Sequence, residues 1–187
     1  MEARKIIITG GATRIGAAIA KELSGPNIEI IIHYNKSKSK AENLKRKLQK
    51  YGTTVNLIKG DLSKEKDVLR IIKFSKAKLK FFDCLINNAG AILFKKSFNS
   101  MGIEKVFATN HLGPFYLTNS FLKENFINRG GRIINVGSSA HQSAVLDFNN
   151  LDSSNSRSWY ERYSRSKLCN LLFTLELSKK TCLLYTS

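Results

Sequence analysis

At 187 residues, with 42% hydrophobic and 24% charged residues, the chain has the size and balance of one globular domain with a real core. No apolar run approaches the roughly 20 residues needed to cross a bilayer, and Met1 to Lys5 lead almost straight into an apolar strand, which leaves no room for a signal peptide. The net charge of +17 raises a nucleic-acid or anionic-membrane partner, but the lysines are spread over 36–50, 59–80, 95–96 and 179–180 without interleaved aromatics, so a solvated surface and no nucleic acid are expected.

In chain order, residues 5–9 (KIIIT) form a short β-branched run ending at glycines, which predicts a buried strand. Residues 15–23 follow with helical spacing of Ile15, Ile19 and Leu23. A second strand is expected at 29–33, then a polar helix at 38–50 with Leu44 and Leu48 four apart. Residues 54–59 predict a third strand and 65–78 a helix whose buried stripe is Val68, Leu69, Ile71 and Ile72. A fourth strand at 82–87 precedes a long helical stretch at 102–128, interrupted near Gly113-Pro114. Residues 132–137 predict a fifth strand and 160–180 a last helix. Between them, 139–158 is a long polar, serine-rich loop, and loops of that length inside a compact domain are usually functional. Alternating strands and helices with apolar strands mean an α/β fold, a doubly wound parallel sheet covered on both faces. One dinucleotide-binding and catalytic domain over 1–180 is expected, with no internal repeat.

Cys84, Cys169 and Cys182 are odd in number and form no CxxC pair, which argues against a disulfide framework and for a reducing compartment. An intracellular, cytoplasmic location is the default reading.

Thr9-Gly10-Gly11-Ala12-Thr13-Arg14-Ile15-Gly16 stands between the first strand and the first helix. Small residues there let the backbone approach a pyrophosphate, and the helix amino terminus offers free N–H groups and partial positive charge. Gly10, Thr13, Arg14, Ile15 and Gly16 are therefore candidate cofactor contacts. A site for NAD(H) commonly ends its second strand with a carboxylate for the ribose 2′-hydroxyl. Here the strand runs into Tyr34-Asn35-Lys36-Ser37-Lys38, with no acidic residue. Arg14, with Asn35 and Lys36, suits a 2′-phosphate instead, so NADP(H) is favoured over NAD(H).

The remaining candidates fall at the carboxyl ends of the strands: Asp61-Leu62 after the third, Asn87-Asn88-Ala89-Gly90 at the fourth and Ser138 after the fifth. Asn110 lies in the long helical stretch, and Tyr163 and Lys167 are four apart on the last helix, hence on one face. An ammonium beside a phenol favours its ionised form, and Ser138 can hold a carbonyl or alcohol oxygen while Tyr163 exchanges a proton.

Taken together, TGGATRIG (9–16), NNAG (87–90), Asn110, Ser138 and the YxxxK pair Tyr163 and Lys167 resemble the short-chain dehydrogenase/reductase family, with a Rossmann-like fold, over nearly the whole chain. The resemblance implies Tyr163 as general acid/base, Lys167 as its modulator and a ribose contact, Ser138 as the group positioning the substrate oxygen, and Asn110 in a proton relay. It also implies Asp61 and Leu62 near the adenine and Asn87, Ala89 and Gly90 near the cofactor ribose.

Residues 102–119, 132–141 and 163–177 resemble the retinol dehydrogenases, as does the 25-residue spacing from Ser138 to Tyr163. The amino-terminal third, with Arg14 in place of the family's middle glycine and IHYNKS after it, is similar to pteridine reductases. The implied activity is hydride transfer between NADP(H) and a small, lipophilic alcohol or carbonyl, with a homo-oligomer as a further expectation. Reduction of a pterin is the second enzyme reading, and a nucleotide-binding regulatory protein the non-enzyme one.

Family members continue past the catalytic helix with further strands and a substrate loop, whereas this chain stops at Ser187 and residues 181–187 break the helical pattern. The expectation is a sheet incomplete on its carboxy-terminal side, a non-native tail at 181–187, an open edge on the last strand, and a 187-residue chain that is poorly soluble and nearly inactive.

Overall fold

In the computed structural model the described residues are 3–180, together with the strand backbone of 185–186. The strands are β1 (Arg4–Ile8), β2 (Ile28–Tyr34), β3 (Thr54–Lys59), β4 (Phe82–Asn87), β5 (Ile127–Asn135) and β6 (Tyr185–Thr186). They form one sheet in the order β3-β2-β1-β4-β5-β6, and every pairing is parallel. The order reverses beside β1, and in such sheets the crevice outside the carboxyl ends of the strands at that switch point is where ligands bind. β6 pairs with β5 through Ile133↔Tyr185 and Ile134↔Thr186, so the β5 edge expected to be open is met at these two positions. The expected tail at 181–187 otherwise lies outside the described residues.

The isoleucine runs explain the sheet. Ile6, Ile7 and Ile8 pair with Ile30, Ile31 and Ile32, and successive side chains point to opposite faces. Ile7 and Ile31 join one core with Val68, Ile71, Leu117, Phe121 and Leu177, whereas Ile6, Ile8, Ile30 and Ile32 join the other with Ala20, Ala41, Leu44 and Leu48. Both faces are thus buried, under α1 (Arg14–Glu22) and α2 (Lys38–Gln49) on one side. On the other lie α3 (Glu65–Lys78), α5 (Gly113–Lys123) and α6 (Trp159–Lys180). Each such isoleucine contributes roughly 1.5–3 kcal/mol.

Several expectations change. Leu69 is exposed and outside the α3 stripe, which Val68, Ile71 and Ile72 form with Ser75. α1 buries Gly16 and Ala20 rather than Ile15, which is 60% exposed at the head of the helix. The helical stretch is shorter than 102–128: α4 (Lys105–Phe107) leads into a π-helical turn (Ala108–Leu112), then α5. Asn125 takes φ +51°, its N–H donates to the Leu122 carbonyl and that of Phe126 to the Phe121 carbonyl. This closing pattern ends α5 and releases β5 five residues earlier than expected. The irregularity expected near Gly113-Pro114 is this π turn, which ends directly before it. Pro114 has no N–H to offer one turn back, and the Asn110 carbonyl there accepts from Asn170 Nδ2 at 2.9 Å.

Candidate active site

The glycine-rich turn is built by close approach. Gly10 has φ +62°, and a Cβ on it would sit 2.9 Å from Ala89 Cα. A Cβ on Gly16 would meet the Gly10 carbonyl oxygen at 2.4 Å and Asn88 Nδ2 at 2.5 Å. Both glycines are therefore steric requirements of the turn. Thr13 precedes α1 in extended conformation, and no side chain caps the helix. That leaves the first-turn N–H groups and the positive end of the helix dipole available to an anion. Arg14 occupies the left-handed region at φ +49°, a conformation that costs a branched or long side chain about 1–2 kcal/mol.

The NNAG segment braces this turn. Asn88 Nδ2 donates to the Thr9 and Gly10 carbonyls at 2.9 and 3.1 Å, and Thr9 Oγ1 accepts from the Asn88 and Ala89 N–H groups. Asn87 is buried and donates to Thr118 Oγ1 and Asn135 Oδ1 at 3.0 and 2.9 Å. Gly90 is exposed at the edge, where a Cβ would lie 3.6 Å from Asn110 Oδ1 and 3.9 Å from Lys167 Nζ. Asp61 accepts from the Ser63 N–H and hydroxyl at 3.0 and 2.7 Å. Burial pushes its carboxyl up, but the two Ser63 hydrogen bonds, with Lys105 and Lys64 nearby, hold it below the usual value. Leu62 is buried in the core, its carbonyl 2.5 Å from where a Gly113 Cβ would stand.

Ser138 and Lys167 line one cavity of about 350 Å³ with Asn135, His141, Asn170 and Thr174. Lys167 is buried, donates to the Val136 carbonyl at 2.9 Å, and stands 5.9 Å from the centre of the Tyr163 ring. Burial lowers its pKa from the ordinary lysine value. Ser138 Oγ accepts from the Ala140 N–H at 3.3 Å, opening a short 3₁₀ turn. Asn110 is fully buried. Its side chain exchanges hydrogen bonds with the Ala91 backbone and donates to Ser166 Oγ at 3.1 Å, and Ser166 donates to the Tyr163 carbonyl. The structure thus brings Asn110, Lys167 and Tyr163 into one group on the π turn and α6, and Ser138 shares with Lys167 a cavity that Tyr163 does not line.

A second hollow of about 570 Å³ lies between α1 and α2, lined by Thr13, Arg14, Lys21, Ser37, Lys40 and Lys47 among others, and no carboxylate. Asn35 and Lys36 are exposed after β2 but do not line it; Ser37 and Lys40 do. Among the described residues no group of histidine, cysteine, aspartate or glutamate could hold a metal ion.

Sequence reading missed the groups that hold the site together. Arg162 and Arg165 flank Tyr163 and are buried. Arg162 donates to the Leu93, Phe94, Ser156 and Arg157 carbonyls and pairs with buried Glu104 at 3.4 Å; Arg165 donates to the Val145 and Asn150 carbonyls. Together they tie 139–158 to the helix carrying Tyr163. Two arginines three apart around a tyrosine were the available signal. Asn88 was marked only as part of NNAG, and for Asn170, a single polar residue in apolar company, there was little signal.

These arrangements are those of a known family. The short chain dehydrogenase family model matches residues 4–154. The chain is 33% identical over 178 residues to human retinol dehydrogenase 12, covering 94% of this chain and 56% of that protein. It superposes on an uncharacterized protein from Mycobacterium Paratuberculosis at 31% identity and TM-score 0.79, covering 96% of this chain and 63% of that one. It is likewise similar to a blue fluorescent protein from a metagenomic library in complex with NADPH, at 25% identity and TM-score 0.77, with coverage of 96% and 69%. The chain belongs to the short-chain dehydrogenase/reductase family, resembles its retinol dehydrogenases, and spans 56% of the length of the human retinol dehydrogenase it matches. No described helix is long and apolar enough to cross a membrane.

Proposed function

We propose that this chain transfers a hydride between NADP(H) and a lipophilic alcohol or carbonyl of the retinol/retinal kind. The observation that carries the reading is the grouping around Lys167: it shares one cavity with Ser138 and stands 5.9 Å from the Tyr163 ring, whose backbone is tied through Ser166 to Asn110, in a chain whose α1 amino terminus is uncapped. The cofactor fits that frame: a Cβ would fill the cradle at Gly10 and Gly16, and the α1 terminus is open to an anion. Thr13, Ile15 and Gly16 would hold the pyrophosphate with Gly10 shaping the turn beneath it, Asp61 and Leu62 would border the adenine side, and Asn87, Ala89, Gly90 and Lys167 the nicotinamide ribose. When bound, the nicotinamide supplies or accepts the hydride. Tyr163 donates the proton to the nascent alkoxide, and the Lys167 ammonium favours negative charge on the phenol left behind. Ser138 holds the substrate oxygen in the cavity, and Asn110 anchors the helix segment that carries this relay.

Arg14, Ser37 and Lys40, with no carboxylate beside them, support NADP(H) over NAD(H), as does the NADPH bound by the metagenomic relative. The lipophilic substrate is supported by the likeness to retinol dehydrogenase 12. Exposed Phe94 and Val145, whose carbonyls are tied to Arg162 and Arg165 beside Tyr163, add to it. A pterin substrate is the second reading, favoured by Arg14 and the IHYNKS segment. Exposed Phe115, Tyr116, Leu172 and Leu175 on α5 and α6 support a homo-oligomer, and the unpaired thiols of Cys84 and Cys169 a reducing, cytoplasmic setting.

The test is NADPH oxidation followed at 340 nm with retinal, simple aldehydes and biopterin, the protein in excess so that one slow transfer per molecule is read. Retinal is expected to oxidise NADPH fastest. Preference for biopterin would install the pterin reading, and tight NADPH binding without oxidation by any of them would favour a nucleotide-binding regulator.

A further inference from the structure

His33 is the penultimate residue of β2 and is 2% exposed. Its Nδ1 lies 3.2 Å from the Gly10 nitrogen and its Nε2 lies 3.0 Å from the Gly60 carbonyl oxygen. A backbone N–H can only donate and a carbonyl can only accept, so the two contacts fix the tautomer: Nδ1 accepts and Nε2 carries the proton. The His33 backbone carbonyl accepts from the Gly11 N–H at 3.0 Å. One residue therefore takes the N–H groups of both consecutive glycines in the turn. Through Gly60 it also reaches the residue directly before Asp61. A Cβ on Gly60 would stand 2.8 Å from Ile71 Cδ1 and in ordinary contact, 3.5 Å, with His33 Nε2.

We propose that His33 is a positioning residue for the cofactor, locking the Gly10-Gly11 corner of the nucleotide turn to the end of β3. The proposal rests on reading 9–16 as a nucleotide turn. By consuming the Gly10 and Gly11 donors, His33 turns that corner inward and leaves the donors of the α1 amino terminus to face the pyrophosphate. The same imidazole fixes the spacing between the phosphate turn and Asp61, which border the two ends of the adenosine half. His33 touches no reacting atom, so it acts on cofactor affinity and not on the chemical step.

The two ring nitrogens can be tested separately, because asparagine places its amide oxygen where Nδ1 stands and glutamine places its amide where Nε2 stands. His33→Asn keeps an acceptor for Gly10, whereas His33→Gln keeps only a donor for Gly60. Binding of NADPH is read by its fluorescence in both variants, beside the single-turnover rate at saturating NADPH and the melting temperature. His33→Asn is expected to bind nearly as the wild type does, and His33→Gln to bind about tenfold more weakly, with the saturated rate unchanged in both. Wild-type affinity in His33→Gln would overturn the role of Nδ1. Losses in both variants that track their melting temperatures would overturn positioning in favour of plain packing. A wild-type chain that binds neither NADPH nor NADH would instead bring down the nucleotide reading, and this proposal with it.

Discussion

Arg14 stands where the short-chain dehydrogenase pattern has a glycine, and its backbone shows what that substitution demands: φ is +49°. Arg14→Gly separates strain from function. Relief of the left-handed conformation is worth about 1–2 kcal/mol, and the greater freedom of glycine in the unfolded chain returns about 0.4–1 kcal/mol. The variant should therefore be as stable as the wild type or more stable by up to about 1.5 kcal/mol, read from urea melts. Strain of this kind persists where function holds it. The Arg14 side chain lines the basic hollow with Ser37 and Lys40, and a hydrogen bond to a charged group contributes about 1.5–3 kcal/mol. Loss of Arg14 should then weaken NADPH about 10- to 100-fold and leave NADH almost unchanged, measured by titrating each nucleotide against the protein. Equal losses for the two nucleotides, or none, would refute the 2′-phosphate role, and a destabilised variant would refute the strain argument.

Three further outcomes follow from the same geometry. Gly16→Ala drives a methyl into the Gly10 carbonyl and Asn88, so it should cost about 1–3 kcal/mol of stability together with NADPH affinity; a wild-type melt would contradict the steric account. His33 is buried and its pKa falls to about 4, chiefly by burial, although the Gly60 carbonyl, Asp67 and Asp61 act in the opposite sense. Its folded pKa is depressed below the unfolded 6.5, so stability is full above pH 6.5 and about 3 kcal/mol is lost as pH falls towards 4. His33→Asn should flatten that part of the urea-midpoint profile, and an unchanged profile would count against it. Arg162→Met strands buried Glu104, which should cost about 3–5 kcal/mol. Adding Glu104→Leu should recover much of the loss in the same urea assay, and a single variant as stable as the parent would show that the pair does not matter.

The parallel sheet was legible because its strands are buried on both faces: runs such as Ile6-Ile7-Ile8 and Ile30-Ile31-Ile32 leave no polar face to mislead. The motif residues were legible because glycines and the Tyr163–Lys167 spacing impose local geometry. The errors occur where tertiary contacts override local pattern. Leu69 and Ile15 continue a helical period but stand exposed, and periodicity does not reveal which turn of a helix is covered. The end of α5 was set by a backbone conformation at Asn125 that asparagine permits but does not announce. The π turn at Asn110 depends on Asn170, sixty residues away in sequence, whose Oδ1 accepts from His111 Nδ1 at 3.0 Å and whose Nδ2 donates to the Asn110 carbonyl. His33 looked like one more strand residue, and only the fold brings Gly10 and Gly60 to its two nitrogens.

The central claim is that Tyr163 completes a hydride transfer between NADP(H) and a carbonyl. It is tested most directly by single-turnover transfer from NADPH deuterated at nicotinamide C4 to retinal, with mass spectrometry of the alcohol, in the wild type and in Tyr163→Phe. The account predicts deuterium at the carbinol carbon in the wild type. In Tyr163→Phe it predicts transfer slower by about 10²–10⁴-fold, with NADPH affinity retained. Undiminished transfer by Tyr163→Phe, or no transfer by a wild type saturated with NADPH, would contradict it.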